Sequence, residues 1–167
     1  MGMTPTEYFE SFVQENAFDC HEHPGCVRRA FNAAVSASHL ADHTFNYSQR
    51  HTSGCASRFR SVGEYVAHLS EETGGAFKDI RSIANAYKHL YSDADPKKAI
   101  HSSISSAGAI VSVDLTETDE EMVSLEEDYE STTTAVVFTR KDGSRAAFLP
   151  ALDAVLEHWR HELYESA

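Results

Sequence analysis

The stretch TTAVVFTRKDGSRAAFLP, residues 133–150, decides the fold class. Thr133 to Thr139 is rich in β-branched residues, Asp142-Gly143 is a strong two-residue hairpin signal, and Arg145 to Leu149 returns as a second strand. Pro150 then opens a helix that carries Val155, Leu156, Trp159 and Leu163. A further strand precedes the hairpin, because Ala109 to Leu115, AIVSVDL, has the same β-branched character. Between the two, residues 117–130 hold eight acids and no base, which reads as a solvated loop.

Upstream the pattern is helical. Thr4 is an N-cap followed by the favoured first-turn proline, Pro5, and Tyr8, Phe9, Phe12, Val13 and Phe18 follow with near-helical spacing, so the first helix is expected over residues 5–17. Pro24 can sit at or near the first turn of a second, long helix that reaches about Phe45 or Tyr47. A loop from Ser48 to Arg60 follows. Ser61 with Glu64 forms a capping box for a short third helix through Glu72, closed by Thr73-Gly74-Gly75. A fourth helix spans Ala76 to Tyr91. The expected architecture is α+β and mostly helical: a four-helix N-terminal part (about 4–92), then a small antiparallel β-sheet and a C-terminal helix (about 108–165). The 167 residues suit one domain over 1–167.

Fourteen basic against 26 acidic residues give a formal charge of −12, which argues against nucleic acid or anionic lipid held across a broad face. A local basic site stays open. Three cysteines, Cys20, Cys26 and Cys55, cannot all pair within one chain and include no CxxC, which points to free thiols in the cytoplasm. The N-terminus lacks the basic-then-apolar order of a secretory signal, and no stretch approaches the roughly 18 apolar residues of a membrane span. MGMTPT fits the myristoylation pattern, but no polybasic second signal accompanies it.

Chemistry-bearing residues concentrate on two helices. On a wheel of about 100° per residue, Val27, Ala30, Phe31, Ala34, Val35, Ala41 and Phe45 share one apolar arc of the long helix. Asp42 falls inside that arc, with His39 and His43 along its edge beside Asn32 and Ser36. A carboxylate there is costly unless a cation or several donors meet it. The fourth helix offers them: Phe77, Ile80, Ile83, Ala84, Tyr87, Leu90 and Tyr91 form its apolar side, and Lys78, Arg81, Asn85, Lys88 and His89 the adjoining side. Asp42 is therefore expected to be largely buried against Arg81 or Lys88, in a polar cluster with His39, Asn85 and His89 that fixes the register of the two helices.

Metal binding is the alternative. His39 and His43 stand at i and i+4, and Asp42 or His89 could complete three ligands around a divalent ion. Cys20-His21-Glu22-His23 with Cys26 is also ligand-rich, although an exposed turn explains it, and His158 and His161 read as solvent-facing positions beside Trp159. There is no GxSxG, no HExxH and no phosphate-binding glycine loop. These residues favour a small binding or interaction module with no cofactor expected. A homodimer is compatible with the sequence, and the small-molecule or protein partner is left open.

His39-Leu40-Ala41-Asp42-His43 and Ile83-Ala84-Asn85-Ala86-Tyr87-Lys88-His89, ahead of a hairpin and a Trp-bearing helix, resemble a pattern in small uncharacterised bacterial proteins. More distantly, Arg81-Ser82 followed by six residues and His89 resembles the motif of HEPN helical bundles. That resemblance implies RNA-directed chemistry by Arg81 and His89. The two lie eight residues apart on one helix, about 12 Å along its axis.

Overall fold

The computed structural model describes residues 2–89, 101–115 and 134–165. The acid-rich stretch 117–130 and the last turn expected of the fourth helix, Leu90 and Tyr91, lie outside them. The Thr4 hydroxyl accepts from the Glu7 amide at 3.2 Å, and the Glu7 carboxylate accepts from the Thr4 amide at 2.7 Å. This reciprocal cap starts α1 (Pro5–Tyr8), and the helical backbone continues through a π-helical stretch, Phe9–Gln14, into α2 (Glu15–His21). The helix is thus longer than the 5–17 expected. Of the five apolar residues at near-helical spacing, only Phe9 and Val13 are fully enclosed, while Phe12 and Phe18 are 45% and 66% exposed. The wider π turn accounts for part of this, since it brings Phe9 and Val13 onto one line and turns Phe12 outward.

α3 (Val27–His51) starts after the Pro24-Gly25 turn rather than at Pro24. Pro24 instead offers its carbonyl to the Val136 amide at 2.9 Å. α3 outruns its expected end and stops at Thr52, which takes a left-handed conformation (φ 52°). A single 3-10 turn, Cys55–Arg58, occupies the loop before α4 (Val62–Glu72), whose N-cap Ser61 accepts from the Glu64 amide. Gly74 and Gly75 at positive φ turn the chain, and α5 (Ala76–His89) follows. α3 is the central helix. Its buried stripe is built largely of alanine (Ala30, Ala33, Ala34, Ala37 and Ala41, with Phe31 and Leu40), which lets α2 and α5 pack closely against it.

The sheet has the order β1-β2-β3, antiparallel throughout, with β1 (Ile110–Asp114), β2 (Thr134–Thr139) and β3 (Arg145–Ala147). Ile110 faces Phe138, and Phe138 faces Ala146. Gly143 at φ 86° and the Asp142 carboxylate, which accepts from the Ser144 amide at 2.8 Å, make the expected turn. β3 is two residues shorter than expected, because Phe148 and Leu149 belong to α6 (Phe148–Arg160) and are both buried. A π-helical stretch, His161–Glu165, extends α6. Helices α1 to α5, the small sheet and the C-terminal helix form the mostly helical α+β fold read from the sequence. Trp159 anchors the core, packing edge-on against Phe77 and Tyr65. Among the described residues no helix is long and apolar enough to cross a membrane.

Candidate functional site

The α3–α5 seam brings Asp42 and Arg81 together. The Arg81 guanidinium donates from Nη1 to Asp42 Oδ2 at 3.1 Å and from Nη2 to Oδ1 at 3.4 Å, with a longer contact to the Ser38 hydroxyl. Arg81 flanks the apolar side of α5, and Asp42, expected inside the apolar arc of α3, stands at the edge of the stripe that α3 buries, so packing the two helices sets the charges side by side. The side chains are 40% and 26% exposed, so the pair lies at the rim of the interface. This corrects the expectation of a largely buried Asp42. His39, Asn85, Lys88 and His89 are likewise exposed and form no enclosed cluster with it.

His43 faces the other way. Its Nε2 donates to the Met3 carbonyl at 2.8 Å and its ring stacks on Tyr8, so it tethers the start of α1 to α3. With Asp42 held by Arg81 and the His43 Nε2 occupied, the alternative donor set of His39 and His43 with Asp42 or His89 does not converge. Among the described residues no group of three or more His, Cys, Asp or Glu side chains is placed to hold a metal ion, and this includes the Cys20-to-Cys26 stretch. There Cys20 is buried, and burial, reinforced by nearby Cys26 and Asp153, pushes its thiol up to about 12. His21 instead meets Asp153 of α6 at 2.8 Å.

What the seam presents to solvent is the polar side of α5. Lys78, Asn85, Lys88 and His89 are exposed and Arg81 is half-buried. The one acid of this helix, Asp79, is buried, held by Arg140 through Nη2 at 2.6 Å and Nε at 3.1 Å. Arg140 also covers the Phe138 ring. With its carboxylate turned inward and paired, the described part of α5 exposes cations, an imidazole and an amide along this side, with the Tyr87 ring, 53% exposed, beside them. That makes a basic strip on a chain of net charge −12.

A second constellation was missed by sequence reasoning. Glu162, in the π-helical stretch after α6, accepts from the Tyr65 hydroxyl at 2.5 Å, from the Cys55 thiol at 2.6 Å and from His158 Nε2 at 3.2 Å. The carboxylate is 9% exposed and His158 18%, which corrects the reading of His158 as solvent-facing; His161, 68% exposed, does face solvent. Burial opposes the Glu162 charge and is the largest single effect. Donation from His158, Cys55 and Tyr65 together outweighs it, and the carboxyl titrates below its ordinary value. Burial, and then the hydrogen bond to and charge of Glu162, push the Cys55 thiol up to about 12. The Tyr65 hydroxyl is raised for the same reasons. Cys, Glu and His lie together, yet the thiol is bound to the carboxylate and stays protonated at neutral pH, so it is not an activated nucleophile. The cluster acts as an anchor, drawing the 3-10 turn, α4 and the end of α6 onto one carboxylate.

No protein-family model matches this chain, and neither the curated proteins nor the solved structures provide a match.

Proposed function

We propose that the protein is a small binding module whose recognition face is the exposed side of α5 with the adjoining rim of α3, and that its partner is an acidic segment of protein. The observation that carries this reading is the sorting of charge on α5. Lys78, Arg81, Lys88 and His89 face outward with Asn85, whereas Asp79 is buried against Arg140. Asp42 holds the Arg81 guanidinium in place, and Asn85 can both donate and accept beside it. Charges farther away than the screening length of about 8 Å at physiological salt weigh little, so a local strip can attract anions despite the overall charge. An acidic peptide suits the strip better than RNA. A long polyanion would meet the rest of the acidic surface, and the exposed Tyr87 beside the strip packs its ring against Phe31 instead of offering it for a base to stack on.

Titrating a peptide of glutamates into isotopically labelled protein and following backbone amide resonances tests the proposal. The expected result is saturable shifts over residues 78–89 that vanish at high salt and in the Lys78→Glu/Lys88→Glu variant. Shifts elsewhere, or none, overturn it, as does RNA of mixed sequence moving the same resonances at lower concentration than the peptide.

A further inference from the structure

We infer that the acidic segment is the N-terminal helix of a second copy of this chain, the two copies forming a two-fold dimer through the α1–α3–α5 face. This rests on the binding-module reading and names its partner. Residues 1–27 contain five acids, Glu7, Glu10, Glu15, Asp19 and Glu22, and neither lysine nor arginine, and all five acids are exposed. On the same helix Phe12 is 45% exposed, and Met3 just before it 39%.

The contacts of α3 place the acidic and basic helices on one surface. His43 meets Met3 and Tyr8 on one flank of α3, Asp42 and Ser38 meet Arg81 on the other, and His39 stands exposed on α3 close to both. The face therefore has an acidic edge, a ridge on which Arg28, His39 and Arg50 of α3 are exposed, and a basic edge. A two-fold axis lying along α3 in the plane of contact turns such a face onto itself with the edges exchanged, so that each acidic helix covers the other copy's α5. An axis across the helices would instead set acid on acid.

The heights along α3 also agree. α1 and α2 run antiparallel to α3, since Tyr8 meets His43 and Asp19 meets Arg29. α5 does so too, since Arg81 meets Asp42 and Tyr87 meets Phe31. Glu7 is thus level with Lys78, and Glu15 with Asn85, while Glu22 lies just beyond Lys88 and His89. A rotation about an axis along α3 preserves these levels and brings Glu7 over Lys78, Glu15 over Asn85 and Glu22 next to Lys88 and His89, while Asp19 stays with Arg29 and Glu10 with Tyr164. Association of this kind gains specificity and encounter rate from charge, and is sensitive to salt.

Sedimentation velocity across micromolar to sub-millimolar concentrations tests the inference, using the wild type, Lys78→Glu/Lys88→Glu and Glu7→Lys/Glu22→Lys. The wild type should dimerise at low salt and dissociate at high salt. Each charge-reversed variant should be monomeric alone, and an equimolar mixture of the two should recover the dimer, which also shows that both are folded. A wild-type dimer that neither reversal disturbs overturns the inference, as does a mixture that stays monomeric. A monomeric wild type whose α5 resonances still respond to the glutamate peptide removes self-association and leaves the binding-module reading standing; a monomer that ignores the peptide removes both.

Discussion

Tyr65→Phe removes one oxygen from an enclosed part of the protein and leaves the ring in place. Tyr65 is fully buried, its ring packs against Phe59 and Trp159, and those contacts survive the change. What is lost is the 2.5 Å hydrogen bond to the Glu162 carboxylate. A hydrogen bond to a charged group contributes about 1.5–3 kcal/mol, and in a chain of this size each kcal/mol moves Tm by about 2–4 °C, so the variant should melt about 3–12 °C lower. Glu162→Gln should cost at least as much. It keeps the shape of the side chain, removes the charge, and turns an amide donor toward groups that are themselves donors. Because both substitutions act on one network, the double variant should lose less than the sum of the singles.

The pH dependence supplies a sign. Glu162 titrates below the ordinary 4.5 in the folded protein, so the unfolded chain takes up its proton first on acidification. The stability it contributes is complete above that value and is lost as pH falls through the folded-state value. Glu162→Gln lacks the titrating group, so the Tm difference between wild type and variant should be constant near neutrality and shrink below pH 4.5. Thermal unfolding followed by circular dichroism between neutral and strongly acidic pH makes the measurement. A Tyr65→Phe protein that melts with the wild type would refute the reasoning, as would strictly additive losses or a wild-type-to-Gln gap that widens on acidification.

Two further predictions concern how the sheet is tied to the helices. Asp79→Asn breaks the buried half of the ion pair with Arg140, whose guanidinium is 33% exposed and can turn to water, so a loss of about 2–4 kcal/mol is expected in denaturant unfolding; an unchanged midpoint would count against any role for the pair in holding the hairpin. A Cβ at Gly25 would lie 2.2 Å from Thr134 Oγ1 and 2.7 Å from its Cβ, so Gly25→Ala should cost about 1–3 kcal/mol and Thr134→Gly should recover part of it, read in the same assay.

The elements were legible where local chemistry forces them. Thr4 before Pro5, Ser61 with Glu64, Gly74-Gly75 and Asp142-Gly143 are signals completed within a few residues, and each marks a real boundary. Boundaries set by distant parts of the chain were misplaced. Pro24 looks like the first turn of a helix, yet its carbonyl is claimed by Val136, more than a hundred residues away in sequence, and α3 starts three residues later. Phe148 and Leu149 continue a strand pattern, yet burial of both side chains draws them into α6. Glu162 belongs to the same class. Its spacing of four from His158 was visible, but the partners that make it a centre, Cys55 and Tyr65, are local to nothing near it.

The Asp42–Arg81 pair shows why a partner can be read from a wheel when depth cannot. A wheel gives direction alone: two helices that bury their apolar arcs against each other must bring the arc edges together, and Arg81 and Asp42, the latter set inside its arc by the wheel, stand at the edges of the stripes that are buried. How far such an edge lies from water depends on the distance between the helix axes, which the apolar side chains between them set. Along α3 those are mostly alanines, so α5 sits close and the seam is shallow. Polar groups flanking a shallow seam reach the solvent. The alanine stripe that admits α5 so closely is therefore also what leaves Arg81 half-open, and what turns a pattern expected to lock two helices into a surface with a charge of its own.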